Sequence, residues 1–489
     1  MAKTFAVTLG EEIIGFCLSS ALFIVGIGFG SRHSAKAKDP LSSLFHVELT
    51  LMVVGAVAPL VVTYLSFVPS LRFIQIGSIN LPPVPLILIF FLGSGSLSFY
   101  LGRLTGYETP LLFRLRPDQK DARSLNHILG FSYFGALAAS LFMPLFLIPR
   151  LEIYGSALLI ALFSGLISLY ILTSFPQRYP QGKRALVIAF GLVVGIGFLQ
   201  KPLQQAALRL TYYSGFPSTV SSWYDISEYI SDLRTKINVD RTLSPYQAID
   251  IVHGSDEKPY FQLYLNRQFQ FDSRFEREYH YAFLQGALKL APFTPKRVLI
   301  LGAGDGLLLR DVLATLPETT DITMVELDPI VLQFAKEDPA WVELNQNSLA
   351  SSRVKLLTDD AFHFLRETNE TWDAVLLDFP YPYSFEVAKL FSLEFYRLLH
   401  KRLSTQSFIV FDFPLRGSSE VIHSTLQKVP FQSIIAYEKG ETFVFATDLS
   451  LDSLKFENFK SEFQQITLPP AEDGFVHSLF KPTLPRIEE

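Results

Sequence analysis

The chain has 489 residues, of which 49% are hydrophobic, 14% are aromatic and only 18% are charged. Soluble domains typically carry about 25% charged residues, so this composition excludes a disordered chain, a coiled coil and an ordinary soluble enzyme. The single cysteine, Cys17, excludes a disulfide scaffold and a zinc site built from cysteines. The length allows two or three domains.

The net charge of −5 averages two unlike parts of the chain. Residues 1–215 carry 16 Lys and Arg against 8 Asp and Glu, whereas residues 216–489 carry 26 against 39. The first part has the sparse charge of a membrane domain, and its basic excess suits anionic lipid headgroups. The acidic second part argues against a nucleic-acid partner and permits a cationic small molecule.

Five apolar stretches in the first part are long enough to cross a bilayer, which takes roughly 20 residues because every backbone polar group must be satisfied inside the helix. A sixth stretch, 185–199, has only 15 uncharged residues and is borderline. Gly26, Gly28 and Gly30 are interpreted as spaced by two, not four, and therefore not as a helix-dimer motif. The five stretches are 13–31, 44–68, 84–105, 126–148 and 152–175.

Basic residues concentrate in three of the segments between these stretches, near 32–38, 103–123 and 178–184. The positive-inside rule places such segments in the cytoplasm. Five spans would then leave the second part of the chain in the cytoplasm, and six would place it outside. Charge alone does not decide between five and six spans.

The second part of the chain begins with short β-like segments and then alternates strands with helices. IDIVHG, YFQLYL and RQFQF, separated by turn residues near Gly254 and Asn266, predict a small antiparallel sheet. The strands RVLILG, ITMVEL, RVKLL and DAVLLD then alternate with helices, two of them at 307–316 and 329–337, and FIVFDF, SIIAYE and TFVFAT follow. This order predicts a doubly wound, mostly parallel sheet.

Acidic residues follow the carboxyl ends of these strands, where doubly wound sheets bind their ligands. The first strand ends in the loop GAGDG at 302–306, whose glycines let the backbone turn and approach a ligand. Glu326 ends the second strand, where a carboxylate can accept hydrogen bonds from ribose hydroxyls. Asp360, after the next strand, could receive the amino group of an adenine. Together the three sites predict a nucleoside ligand.

The glycine loop also indicates which kind of nucleoside binds. A dinucleotide site prefers a G-x-G-x-x-G loop, with the pyrophosphate on the helix N-terminus. Asp305, inside this loop, would repel a phosphate and attract an ammonium, which favours a sulfonium nucleoside with a cationic tail. The alternative role for Asp305, and for Asp360, is to cap the helix that follows.

Two further segments complete the predicted cleft. Asp378, in the segment DFPYP after the strand DAVLLD, is expected to face the same cleft as Asp305. Tyr279 and His280, in RFEREYHY, are placed to reach over the cleft as a polar lid. The alternative for Tyr279 is the surface of an ordinary amphipathic helix.

These segments, in this order, resemble the spermidine synthases, the polyamine aminopropyltransferases, over roughly residues 246–447. The resemblance rests on LYLNRQFQFDSRFEREYH, LILGAGDG, VELD, DDAF and LLDFPYP. The segments LFIVGIGFGS and GYETPLLFRL resemble membrane-bound members that have N-terminal transmembrane helices. The resemblance implies transfer of an aminopropyl group from decarboxylated S-adenosylmethionine to a polyamine such as putrescine. The products would be spermidine and methylthioadenosine, with no metal and no further cofactor.

The resemblance also implies roles for single residues. Asp378 would be the general base, and Tyr279 would help to orient the acceptor amine. Tyr381 stands where the family usually has a second Asp, and Asp412 where a Gln is usual, which moves the expected site of the distal amine. The expected donor-binding residues are Gly302, Gly304, Asp305, Gly306, Glu326, Asp360 and Gln270, and the expected acceptor-binding residues are His280, Tyr381, Asp412 and Tyr437.

The expected architecture is an α-helical transmembrane domain at 1–215, a connector with a small antiparallel β subdomain at 216–290, and a Rossmann-like, class I methyltransferase-like catalytic domain at 291–489. We expect an integral protein of a bacterial-type inner or plasma membrane, with the catalytic domain in the cytoplasm because the family's donor is made inside cells. The expected partners are the bilayer, a polyamine, a sulfonium nucleoside and a second copy of the chain.

Two alternatives stay open at this point. One is an S-adenosylmethionine-dependent methyltransferase, which shares the sheet and the glycine loop. The other is a non-catalytic polyamine or nucleoside sensor coupled to the membrane domain.

Overall fold

In a computed structural model, the residues of the protein fall into two compact units. The first unit comprises Met1–Tyr260 with Tyr264–Arg267, and the second comprises Phe261–Leu263 with Gln268–Glu489. The predicted domain boundary at 215–216 lies outside the described residues. The structure describes residues 12–68, 75–76, 79–80, 83–115, 122–179, 181–213, 219–220, 223–255, 258–382, 384–413 and 418–484.

Long apolar helices dominate the first unit. Among the described residues, four helical tracts are long and apolar enough to cross a membrane: Pro40–Leu65, Val84–Arg114, Asn126–Ser174 and Gly182–Tyr212. The borderline stretch 185–199 thus belongs to a helix of 31 residues. The helices are α1 (Glu12–Ser34), α2 (Pro40–Leu65), α3 (Pro83–Arg114), α4 (Ala122–Phe142), α5 (Ile148–Ser174) and α6 (Gly182–Tyr212), followed by α7 (Trp223–Thr235).

Helices α1 and α3 approach each other closely at glycines. A Cβ atom on Gly26 would lie 2.2 Å from Phe99 O, and one on Gly30 would lie 2.0 Å from Arg103 O. Gly102 and Gly106 of α3 face the backbone of α1 at 2.1 and 2.2 Å in the same way. The interpretation that these glycines do not form a helix-pairing motif was therefore wrong for the pairing of α1 with α3 within the chain. Gly26 and Gly30 are four residues apart, one helical turn, which is the spacing that lets two backbones meet.

The segment predicted as two spans, 126–148 and 152–175, is helical with an interruption between α4 and α5. A π-helical turn covers Met143–Leu147. Within α5, Glu152 has φ 55° and ψ −171°, a conformation that side-chain-bearing residues rarely adopt. The π-helical turn therefore lies inside the first predicted span, near its end, and Glu152 is the first residue of the second.

The two ends of the helical bundle differ in charge. At one end, Arg114 donates to Ser34 O and Ala37 O at 2.8 and 2.7 Å, and Arg178 pairs with Asp39 at 2.9 Å. Asp39 caps the start of α2, a helix of 26 residues and thus about 39 Å long.

The other end of α2 takes part in a different set of contacts. There the Thr63 and Tyr154 hydroxyls lie 2.8 Å apart, and Gln205 of α6 donates to Val239 O at 2.9 Å. Arg114 and Arg178 therefore lie at the end of the bundle away from the point where α6 ends and the chain continues into strand β4.

The predicted small antiparallel sheet is present, with one strand more than expected. Strand β4 pairs antiparallel with β5, the strand predicted from IDIVHG. The sheet order is β4-β5-β6-β7, and a second sheet of two-residue strands has the order β2-β1-β3. The strands are β1 (Gln75–Ile76), β2 (Ile79–Asn80), β3 (Thr219–Val220), β4 (Ile237–Leu243), β5 (Ala248–Ser255), β6 (Pro259–Leu265) and β7 (Gln268–Asp272).

The second unit is built on a mixed sheet of eight strands in the order β10-β9-β8-β11-β12-β14-β13-β15. The strands are β8 (Arg297–Gly302), β9 (Asp321–Glu326), β10 (Val354–Thr358), β11 (Trp372–Asp378), β12 (Leu403–Asp412), β13 (Ser433–Lys439), β14 (Glu441–Thr447) and β15 (Gln464–Ile466). The helices are α8 (Glu276–Leu290), α9 (Leu307–Thr315), α10 (Pro329–Glu337), α11 (Pro339–Leu344), α12 (Ala361–Glu367), α13 (Phe385–Ala388), α14 (Leu393–His400), α15 (Ser419–Leu426) and α16 (Phe456–Lys460).

The parallel part of this sheet confirms the predicted doubly wound, Rossmann-like fold. Strands β10, β9, β8, β11 and β12 pair in parallel, and β14, β13 and β15 extend the sheet in antiparallel pairs. The chain builds outward from β8 to β9 and β10 and then returns to β11 on the other side of β8. The strand order therefore reverses between β8 and β11, which is where such sheets bind ligands.

Local chemistry fixes where the helices of this unit begin. Asp328 accepts a hydrogen bond from Ile330 N, and Asp338 accepts one from Trp341 N. Each cap is followed by a proline, Pro329 or Pro339, whose fixed φ suits the first helical position. The central strands between the helices are buried on both faces, as parallel strands in such folds are.

Candidate active site

The loop after β8 brings the ends of two strands together. Gly302 has φ +87°, and a Cβ atom there would lie 2.1 Å from Asp378 O. Ala303 N donates to that same oxygen at 3.3 Å. Ala303 has φ 58°, a conformation that costs a residue with a Cβ roughly 1–2 kcal/mol. The loop thus holds the end of β8 against the end of β11.

Two other glycines leave room for side chains at the loop. A Cβ atom on Gly304 would lie 2.8 Å from the Glu326 carboxylate, and one on Gly306 would lie 2.8 Å from Ser348 Oγ. Gly306 also has φ +79°, which permits the turn into α9. The predicted glycine positions therefore let Glu326 approach the loop.

Asp305 is held firmly at the turn. Its Oδ1 accepts from Leu307 N at 2.8 Å, so it partly fulfils the alternative capping role. Its backbone oxygen accepts from Trp341 Nε1 at 3.1 Å and from Asn345 Nδ2 at 3.0 Å.

Three predicted residues meet at the switch point of the sheet. One ligand-type atom each of His280, Asp305 and Asp378 lies within 4.8 Å of the other two. Tyr279, the neighbour of His280 on α8, donates its hydroxyl to Asp378 Oδ1 at 3.1 Å. The structure therefore brings together the three residues that the sequence analysis predicts as general base, orienting tyrosine and ammonium-binding carboxylate, namely Asp378, Tyr279 and Asp305.

Burial sets the protonation of this group. Burial and the nearby Asp378 raise the pKa of Asp305 to about 6, and burial also raises the pKa of Asp378. Burial alone would lower the pKa of His280, but its hydrogen bond to Glu276 and the two carboxylates raise it instead. The carboxylates make the site acidic, and a positively charged ligand would stabilise their ionised forms.

A buried ion pair, which the sequence analysis missed, orients His280. Its Nδ1 lies 2.9 Å from Glu276 Oε2, and Arg310 donates to both Glu276 oxygens at 2.8 and 3.0 Å. The bonds from His280 and Arg310 overcome burial and lower the pKa of Glu276 to about 2, so Nδ1 is the donor. His280 therefore turns Nε2 away from Glu276. The spacing of four between Glu276 and His280 on one helix was the available signal.

Asp412 adds a third acidic group to the site. It ends β12 beside Asp378 at the end of β11, since Leu377 is paired with Phe411. It is only 7% exposed, and burial together with Asp378 raises its pKa well above the usual range. Asp412 therefore lies beside Asp378 and Tyr279, and its expected role in binding the acceptor stays a prediction.

Tyr381 lies on the same side of the site. It is half-buried, and its electrostatic contact with Tyr279 helps to raise the pKa of Tyr279 after the larger effect of burial. Tyr381 therefore joins Tyr279 beside the acidic residues.

Glu326 and Asp360 lie at the ends of the strands on the other side of β8. Burial raises the pKa of Glu326 to about 7, and its Oε1 accepts from Asp328 N at 2.8 Å. Asp360 Oδ1 caps α12 by accepting from Phe362 N and His363 N at 2.9 and 3.0 Å.

The other oxygen of Asp360, Oδ2, contacts Lys389 at 2.9 Å. Asp360 therefore fills the capping role, and Lys389 is a neighbour that the sequence did not predict.

Two predicted residues are engaged elsewhere. Gln270 donates from its amide to Gln268 O and Phe269 O, both at 3.1 Å, along its own strand. Tyr437 is fully buried, and its hydroxyl donates to Ala282 O and Phe283 O of α8 at 3.3 and 3.2 Å. Their expected binding roles stay predictions.

The cluster of His280, Asp305 and Asp378 has the chemistry to hold a cation. An imidazole nitrogen with two carboxylates could ligate a divalent metal ion, and the same carboxylates suit an ammonium group. The adjoining glycine loop and Glu326 favour an organic cation, because they extend the site towards a nucleoside.

Comparison with known proteins gives a consistent result. Residues 277–413 match the family model described as "Spermine/spermidine synthase domain". A polyamine aminopropyltransferase of Leptospira interrogans is 30% identical over 405 residues, which cover 82% of this chain and 72% of that protein. Polyamine aminopropyltransferase 2 of Ralstonia nicotianae is 29% identical over 414 residues, with the same coverage of each chain.

The similarity extends into the helical part of the chain. Polyamine aminopropyltransferase 2 of Aquifex aeolicus is 26% identical over 471 residues, or 93% of this chain and 85% of that protein. A solved spermidine synthase from Thermotoga maritima superposes with a TM-score of 0.37 and 21% identity, over 44% of this chain and 73% of that chain. With a Leptospira relative at 30% identity and a matching synthase domain, the chain belongs to the polyamine aminopropyltransferase family.

Proposed function

We propose that the protein transfers the aminopropyl group of decarboxylated S-adenosylmethionine to a polyamine acceptor such as putrescine, giving spermidine and methylthioadenosine. The observation that supports this most strongly is the meeting of Asp305 and Asp378 at the switch point of the sheet. The reaction brings two cationic substrates together, and two adjacent carboxylates offset their repulsion.

The donor has a place for each of its parts. Asp305 binds the ammonium of the aminopropyl chain, and the glycine loop lets the sulfonium lie close to the backbone. Glu326 accepts hydrogen bonds from the ribose hydroxyls. Asp360 offers the adenine amino group the carboxylate oxygen that also contacts Lys389.

The chemical step needs a base and correct alignment. The acceptor nitrogen attacks the carbon next to the sulfonium, the C–S bond breaks, and its electron pair leaves on sulfur as a neutral thioether. An amine with a pKa near ~10.4, like that of Lys, is protonated at neutral pH and cannot attack. Asp378 takes the proton, and Tyr279 holds Asp378 in position at 3.1 Å. Because no negative charge develops on the leaving group, no oxyanion hole is required.

The acidic pocket also distinguishes this reaction from methyl transfer. A methyltransferase must accommodate the carboxylate of S-adenosylmethionine, which would lie beside Asp305 at a like-charge cost. Decarboxylated donor presents only an ammonium there. A non-catalytic sensor would not need a proton acceptor such as Asp378 beside Asp305, so this pair favours an enzyme.

We further propose that α1 to α6 embed the chain in a bacterial-type membrane and that the catalytic region faces the cytoplasm, where the donor is made. The four apolar tracts support membrane insertion by length and composition. With α6 crossing, this orientation leaves the basic end around Arg114 and Arg178 outside, against the usual bias of Lys and Arg. The supply of the donor places the catalytic region in the cytoplasm, whereas the basic residues place it outside. Cysteine labelling distinguishes the two orientations.

The proposed division of work follows the predicted regions: helices at 1–215, a connector and small sheet at 216–290, and catalysis at 291–489. A second copy of the chain is the proposed protein partner, which light scattering of the purified protein tests.

Product analysis tests the proposed reaction. Purified protein is incubated with decarboxylated S-adenosylmethionine and a mixture of diamines and polyamines, and the products are identified by mass spectrometry. We expect methylthioadenosine and one aminopropylated amine in equal amounts. Formation of a methylated product, or of no nucleoside product with any amine, would overturn the proposal.

A further inference from the structure

A row of carboxylates runs along one edge of the mixed sheet. Each of six adjacent strands contributes at least one acidic residue at or just beyond its end on this edge, and the row crosses the site already described. In sheet order β10-β9-β8-β11-β12-β14, the residues are Asp360, Glu326, Asp305, Asp378, Asp412 and Glu441. The donor accounts for the first three and the base for the fourth, which leaves Asp412 and Glu441.

The strand register places Glu441 on the same face of the sheet as Asp412. Asp412 is paired with Phe443, and paired residues of antiparallel strands project to the same face. Glu441 lies two residues before Phe443 and therefore also projects to that face. The ring of Phe443 is 5.6 Å from the ring of Tyr279, so this face borders the site.

Glu441 is available to bind a ligand. Lys439, the residue opposite it on β13, turns instead to the ring of Tyr281 at 4.8 Å and to Glu462 at 3.8 Å. Among the residues that the structure describes, no ion pair involves Glu441. An exposed carboxylate in line with buried Asp412 and half-buried Asp378 extends the acidic surface away from the reacting centre.

We propose that Glu441 is a specificity-determining residue that binds the distal ammonium of the acceptor, which lies across the ends of β11, β12 and β14. This inference rests on the proposed function. The attacking amine lies at Asp378, and Asp412 lines the path of the chain between its two ends. Neighbouring strands are about 4.8 Å apart, so the row extends about 9.6 Å from β11 to β14. The acceptor class is therefore an extended amine with a second cation far from the attacking nitrogen.

The test compares a diamine with a monoamine of the same carbon chain. In Glu441→Gln, we expect the KM for 1,4-diaminobutane to rise about three- to tenfold with kcat unchanged, because a partly screened ammonium–carboxylate contact is lost. The affinity for 1-aminobutane, measured as its inhibition constant against the diamine, should stay unchanged. Glu438→Gln is the matched control, since Glu438 is paired with Thr442 and projects to the opposite face.

Three outcomes are distinguished. A KM increase confined to the diamine and to Glu441→Gln supports the inference. An unchanged KM, an equal loss for the monoamine, or the same effect in Glu438→Gln overturns it. If wild-type protein forms no methylthioadenosine with any amine, the proposed function itself fails, and this result is separate from any effect of Glu441.

Discussion

The hydroxyl of Tyr279 donates to Asp378 Oδ1 at 3.1 Å, so a residue of helix α8 holds the carboxylate that ends strand β11. The two residues are 99 positions apart in the chain, and only the fold brings them together. Burial raises the pKa of both groups, so Tyr279 keeps its hydroxyl proton and donates it in this hydrogen bond to Asp378. This contact connects the predicted base to the lid segment.

Replacing the base should separate binding from turnover. We expect Asp378→Asn to lower kcat about 10²–10⁴-fold, because the acceptor amine loses its proton acceptor. Affinity for the nucleoside methylthioadenosine, measured by calorimetry, should stay within about twofold of wild type. A variant that retains wild-type kcat would remove Asp378 from the mechanism.

The acidic pocket predicts a pH dependence of activity. Asp305, with a pKa of about 6, and Glu326, with one of about 7, act as carboxylates. As the pH falls through this range they take up protons, and kcat/KM for the donor should fall about tenfold per unit between pH 7 and 6 and more steeply below pH 6, because both groups must be ionised. Above about pH 8 both carboxylates are ionised, and kcat/KM should no longer rise with pH. A profile that stays level down to pH 5 would contradict the assignment.

Stability should change in the opposite direction over the same range. The folded pKa of Asp305, about 6, exceeds its ordinary value of 3.8, so the folded protein binds protons more tightly than the unfolded chain. The destabilisation from this buried carboxylate is present above pH 6 and is lost as the pH falls towards 4. If activity falls below pH 6 while the melting temperature does not, the loss reflects weaker donor binding and not acid unfolding.

The buried pair beneath His280 should matter for stability. In Glu276→Gln, Arg310 keeps only its contact with Asp311 as an ion pair, and we expect the free energy of unfolding to fall by about 3 kcal/mol. Glu367→Gln is the control, because Glu367 and its partner Arg366 are both more than half exposed and their pair contributes ~0–1 kcal/mol. Equal denaturation midpoints for the two variants would show that the buried pair does not stabilise the fold.

Cysteine labelling decides which side of the membrane the catalytic region faces. In a Cys17→Ser background, which has no other cysteine, Ser453→Cys reports on the catalytic region and Gln177→Cys on the basic end of the helices. If the catalytic region is cytoplasmic, an impermeant maleimide should label Ser453→Cys only after cells are permeabilised. Labelling of Ser453→Cys in intact cells would support the orientation that the basic residues predict.

Local sequence patterns predicted the sheet well. RVLILG and the helix at 329–337 lie where the structure has β8 and α10, because buried strands with glycine ends and proline-started helices have strong local signals. Strand β4 was missed, since INVDRTL carries two charges and alternates only in its first residues. The small sheet therefore has one strand that no apolar run announced.

Long-range contacts account for what the sequence could not show. The link of Arg310 to Glu276 joins residues 34 positions apart, and neither residue type predicts its partner. The glycines at 26 and 30 were misjudged because the intervening Gly28 hid their spacing of four, and the matching pair in α3 lies far along the chain. For Asp360 the sequence predicted two alternative roles, helix capping and ligand binding. Its contact with Lys389 could be seen only in the fold.

The central claim is that an acidic pocket holds a sulfonium nucleoside with a cationic tail, and binding tests it most directly. Calorimetry should compare decarboxylated S-adenosylmethionine with S-adenosylmethionine itself, on wild-type protein and on Asp305→Asn. We predict that wild type binds the decarboxylated form at least about tenfold more tightly and that Asp305→Asn loses most of this difference. Equal or tighter binding of S-adenosylmethionine by the wild-type protein would contradict the account.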